Sequence, residues 1–131
     1  MRIPPNFLYY LSMNEKCSDQ LLCKANRLSS EDVELSVHPQ AVQIRKMVSS
    51  VLMEVHRMKG FVRLKPLGPF ILYGYLKPKH KIGSHICSHF ARWSPFTIVL
   101  LGNGLESWIS LCTEKEVFQA RGCGLEQSLQ N

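Results

Sequence analysis

The sequence predicts an α+β fold with elements in the order α-β-β-α-β-β, an antiparallel sheet packed on helices. Three observations carry this. Apolar residues recur at helical spacing from Ile44 to Met58. After Gly60 the period drops to two, the alternation of a strand. Thr97–Leu101 is then a continuous apolar run that ends in the turn-forming Gly102-Asn103-Gly104. With 131 residues, 45% of them hydrophobic, the chain has material for one true core.

Residues 1–37 are expected to be a helical and irregular N-terminal segment, with a short helix over Asp19–Arg27 and a turn or helix start at Ser29-Ser30-Glu31-Asp32. The core α+β domain spans 38–118. Its first helix begins near Pro39, and Ile44, Met47, Val48, Val51, Leu52, Val55 and Met58 form its buried stripe, with Gly60 just past its end. Phe61–Lys65 and Phe70–Lys77 read as a hairpin around Pro66 and Gly68-Pro69. Pro78 ends that strand. Ile82, Ile86, Phe90 and Trp93 mark a second helix, which Pro95 stops. Thr97–Leu101 and Glu106–Cys112 follow as the second strand pair, and 119–131 is expected to be a flexible tail.

Charge is distributed unevenly. The formal net charge is +6, yet no Asp or Glu lies between Glu54 and Glu106. The 51 residues Val55–Leu105 hold eight Lys/Arg, four of the five His, and seven aromatics: Phe61, Phe70, Tyr73, Tyr75, Phe90, Trp93 and Phe96. Clustered bases interleaved with aromatics suit a polyanionic partner, with a solvated basic face as the plainer alternative. Five scattered cysteines do not make a disulfide framework, so reduced thiols and a cytoplasmic location are expected. Met1–Met13 lacks the form of a signal peptide, and no apolar run approaches the roughly 20 residues of a membrane span.

By strand parity Arg63, Lys65, Tyr73, Tyr75 and Lys77 share one face of the hairpin. Bases beside flat rings on a sheet can hold phosphates and stack nucleobases. The alternative is that Tyr73 and Tyr75 pack under the N-terminal helix. His85 and His89 stand four apart, a weak candidate pair for a metal that still needs a third ligand; phosphate contact is the other role, with Arg92 one turn on. No metal or other cofactor is expected. Cys87 among histidines could act as a nucleophile, or simply be a core thiol. No paired carboxylate, Gly-rich phosphate loop or Ser/His/Asp arrangement accompanies it.

The block Val55-His56-Arg57-Met58-Lys59-Gly60-Phe61-Val62-Arg63, then Lys77-Pro78-Lys79-His80, then Ser88-His89-Phe90-Ala91-Arg92, resembles the prokaryotic domain of unknown function 4130, whose members are described as probable DNA metabolism proteins. The resemblance covers about residues 38–110. It implies an accessory nucleic-acid-binding role, with DNA as the expected polyanion, in DNA repair or modification beside a radical SAM or uracil-DNA glycosylase-like partner. It carries over His56, Arg57, Arg63, His80, His89 and Arg92 as polar site residues. The chain departs from the family pattern at the apolar Leu100–Gly104, at Trp93-Ser94 and in a shorter C-terminus. It has no radical SAM cysteine triplet. The alternatives are a small metal- or thiol-dependent enzyme acting on nucleotides or nucleic acid, and a protein adaptor without nucleic-acid contact.

Overall fold

A computed structural model describes residues 3–122 of the chain. Contacts group them into two compact units: one takes the chain up to His56 together with Lys79–Lys81, the other takes Arg57–Pro78 and the chain from Ile82 onward.

The first unit is helical. α1 (Phe7–Met13), α2 (Asp19–Ala25) and α3 (Ser30–Leu35) precede α4 (Pro39–Phe61), whose residues up to His56 belong here. Serines start the short helices: Ser18 Oγ accepts the N–H of Leu21, and Ser29 and Asp32 form a reciprocal capping box. At the end of α3, Arg45 Nη1 donates to the carbonyls of Val33 (3.1 Å) and Glu34 (2.7 Å), satisfying acceptors the helix leaves open. Ile3, Phe7, Leu11, Ala25, Val33, Ile44 and Val48 make the core. The expected stripe of α4 is present, with Ile44, Val48, Val51 and Val55 buried, but it also carries buried Glu54.

The second unit is a five-stranded sheet in sequence order: β1 (Lys65–Gly68), β2 (Ile71–Tyr75), β3 (Ile98–Gly102), β4 (Ser107–Cys112) and β5 (Val117–Gly122). α5 (Gly83–Trp93) packs against β3, β4 and β5, burying Ile86, Cys87, Ser88 and Ala91. Gly83 lies so close to the indole of Trp108 that a Cβ there would overlap the ring. The β3–β4 turn is built by Asn103, as its place between two glycines suggested: Oδ1 accepts the N–H groups of Leu105 (2.8 Å) and Glu106 (3.2 Å), while Nδ2 donates to Leu76 O (2.9 Å).

The α+β class holds, and the details differ in four places. The sheet is mixed, because β2 and β3 run parallel with Ile71 opposite Ile98 and Gly74 opposite Leu101. A parallel pair needs a crossover, and the segment holding α5 provides one. Phe61 closes α4 instead of opening a strand; Val62 N still bonds Met58 O at 3.0 Å, so β1 starts only at Lys65 and includes Pro66. Pro is tolerated there because β1 is an edge strand. Lys77 lies beyond the end of β2. Finally, β5 is a fifth strand, paired with β4 from Val117↔Cys112 to Gly122↔Ser107. Residues 119–122, assigned by sequence to the tail, belong to it. The rest of that tail lies outside the described residues.

Candidate nucleic-acid interface

The sheet has two unlike faces. Side chains alternate along a strand and paired residues share a side. Val99, Leu101, Trp108 and Gln119 therefore face α5, as the Gly83–Trp108 approach and the bond from Gln119 Nε2 to Ser84 O (3.2 Å) show. The other face carries Lys65 and Tyr73 side by side in register, then Tyr75, and beside them Ile71, Ile98, Ile109, Leu111 and Phe118.

On this face Tyr75 is 63% exposed and Phe118 51%, Tyr73, Ile71, Ile98, Ile109 and Leu111 are half-buried, and Leu100, in register between Tyr73 and Ile109, is buried. Lys65 is exposed, and so is Lys77, two residues past Tyr75. Three of the five hairpin residues predicted to share a face, Lys65, Tyr73 and Tyr75, do so in the strand register; Lys77 follows the end of β2. Arg63 lies before β1, so strand parity does not place it; its Nη1 donates to Gly60 O at 2.8 Å near the end of α4. The apolar members of the face were missed. Ile98 and Leu111 lie in runs that read as doubly buried or simply alternating, and Phe118 falls after the last strand the sequence suggests.

A second group forms on α5. His85, His89 and Arg92 share one side of the helix, and the His89 ring meets that of Trp93 edge-on at 6.1 Å. Burial holds both histidines below their ordinary value; Lys59 and Arg92 lower them further, and His89 adds to the effect on His85. Lys59, in the last turn of α4, is the member that sequence spacing did not select.

The remaining candidates are placed otherwise. His80 is only 5% exposed. Its Nδ1 accepts the Glu15 N–H at 3.2 Å and its Nε2 meets Ser50 Oγ at 2.9 Å, so both ring nitrogens are committed within the fold. A nitrogen that accepts from an amide carries no proton, which puts the ring hydrogen on Nε2, toward Ser50. His56 and Arg57 are exposed near the end of α4. Of the six polar residues implied by the resemblance, His80 is thus taken up by the fold, His56 and Arg57 are exposed on α4, and His89 and Arg92 lie on one side of α5. Cys87 is fully buried, its S–H lies 3.2 Å from Val99 O, and burial pushes the thiol up to about 11, which removes it as a nucleophile at neutral pH.

Among the described residues no three His, Cys, Asp or Glu side chains could hold a metal ion, so His85 and His89 stay a pair. Also among the described residues, no helix is long and apolar enough to cross a membrane. Two surface grooves, of about 700 Å³ beside Ile3, Glu31 and Leu35 and about 460 Å³ beside Leu8, Leu22 and Cys23, contain none of the predicted site residues.

No curated protein and no solved structure matches the chain. A family model described as a domain of unknown function, number 4130, matches residues 14–102, running from the first helical unit through β3. By that match over most of its length, the chain belongs to the family of domain of unknown function 4130.

Proposed function

We propose that this protein is an accessory nucleic-acid-binding protein of DNA metabolism that holds single-stranded segments on the open face of its sheet. One observation carries the reading: Lys65 stands beside Tyr73 in register, exposed Tyr75 lies on the same face, and exposed Lys77 follows just past the strand. Aromatic rings stack nucleobases of any sequence while flanking lysines neutralise phosphates, and each stacked base contributes about 1–3 kcal/mol. The acid-free charge pattern supports the same partner, and so does the description that accompanies the family resemblance. The work of catalysis then falls to a partner, a radical SAM or uracil-DNA glycosylase-like protein.

The test is anisotropy of a labelled single-stranded DNA with the full chain over a salt series. Affinity should fall with salt, Tyr75→Ala should weaken it about fivefold or more, and Lys65→Glu with Lys77→Glu should abolish it. Unchanged binding in those variants sinks this face as the site.

The apolar half of the same face, Ile98, Ile109, Leu111 and Phe118, favours a second reading, an adaptor that docks its protein partner there. A complex with the partner that survives nuclease but is lost with Phe118→Glu would support the adaptor.

A further inference from the structure

We propose that Lys59, His85, His89 and Arg92 form a receptor for a phosphomonoester, the phosphate at the end of a nucleic-acid strand. The inference rests on the nucleic-acid reading only for the identity of the strand; the phosphate chemistry stands on the cluster itself.

α5 sets three of the groups on one side, His85 and His89 at i and i+4 and Arg92 three further on, and Lys59, in the last turn of α4, acts electrostatically on both rings. The charges that help hold the two rings below their ordinary value are positive: Lys59 from α4, and on α5 Arg92, with His89 acting on His85. This is a concentrated point of charge and not a track. A diester backbone spreads single charges along its length. A terminal phosphate gathers about −1.5 to −2 charges and three acceptor oxygens in one group, which matches a point receptor.

The histidines make the receptor responsive. Both are half-buried beside cations, so in the empty site their protonated forms are disfavoured. A phosphate dianion reverses that local field, so binding draws protons onto the rings and favours mildly acidic over alkaline pH. Trp93 completes the site. It is 77% exposed, next to His89, and its flat surface suits the terminal base that such a phosphate carries.

Two titrations of the full chain test this. In the first, inorganic phosphate is added while the ring resonances of His85 and His89 are followed by NMR; their titration midpoints should move up. In the second, single strands of one sequence carrying a 5′-phosphate, a 3′-phosphate or only hydroxyl ends are compared. A phosphorylated end should bind about tenfold tighter near pH 6.5 than its hydroxyl counterpart, a gap of about 1.4 kcal/mol. The two phosphorylated strands show which end is read. The preference should shrink toward pH 8, disappear in the variant Lys59→Gln/Arg92→Gln, and persist in Lys46→Gln, an exposed lysine outside both groups. Equal affinity for all three strands, with unmoved histidine resonances, overturns the receptor. Shifted resonances without binding of any strand uphold the phosphate site and overturn the nucleic-acid reading.

Discussion

Glu54 Oε1 accepts the backbone N–H of His80 at 2.8 Å, and its other carboxylate oxygen accepts that of Lys79 at 3.0 Å. A carboxylate only 4% exposed thereby fastens the loop after β2 to the middle of α4. Glu54→Ala would leave two amides without their acceptor, and the expected loss is about 2–5 kcal/mol of stability. Glu54→Gln retains one acceptor oxygen and should lose roughly half as much. Urea unfolding measures both; two wild-type midpoints would show that the bonds contribute nothing.

His80 itself separates stability from binding. Its ring bridges the Glu15 amide and the Ser50 hydroxyl. His80→Phe should cost about 1–3 kcal/mol through the abandoned partners. At temperatures where the variant is folded, its affinity for single-stranded DNA should equal that of the wild type, whereas Tyr75→Ala should show the opposite pattern. A His80 variant of full stability but lost affinity would return this residue to the binding site.

The cysteines offer a test of burial. Cys23 is exposed, while Cys87 lies in the core with a thiol raised to about 11. In the native protein at neutral pH, iodoacetamide should label Cys23 and leave Cys87 unmodified until denaturant is added, as read by peptide mass spectrometry. Rapid native labelling of Cys87 would mean that α5 leaves the sheet far more readily than its packing implies.

Stability should depend on the His85–His89 pair. Burial, then Lys59, holds both rings below the ordinary histidine value of 6.5. The unfolded chain therefore binds more protons than the folded one as pH falls through and below 6.5, so their contribution to stability, present above that value, is lost on acidification. Unfolding midpoints compared at pH 7.5 and 5.5 should fall less in His85→Gln/His89→Gln than in the wild type. Equal falls would show that these rings are not suppressed.

What could be read from the chain was what neighbours in sequence decide. The α4 stripe, the buried run of β3 and the Asn103 turn all follow from periodicity or from one residue's hydrogen-bonding habits. The start of β1 was misplaced because Phe61-Val62-Arg63 alternates like a strand while its backbone still completes a helix. The direction of β2 against β3 depends on where the α5 crossover returns the chain, and no local pattern encodes that. Glu54 was visible as an acid on an apolar stripe. Its partners are backbone amides 25 and 26 residues away, which no side-chain pattern marks. His80 read as a polar site residue for the same reason: its partners are the amide of Glu15, in the turn after α1, and the hydroxyl of Ser50 on α4. On the sheet, parity did place Lys65, Tyr73 and Tyr75 together, because pairing across a hairpin is nearly a local property.

The parallel pairing of β2 and β3 also bears on the order in which the sheet assembles. The β1–β2 hairpin and the β3–β4–β5 meander each join strands that follow one another directly, so each closes over a short loop. Ile71 and Ile98, 27 positions apart by their numbers, can meet only after a much longer loop has closed around α5. Loop-closure entropy therefore favours closing the seam between the two antiparallel pieces last, and substitutions at Leu72 or Val99 should act mainly after each piece has formed.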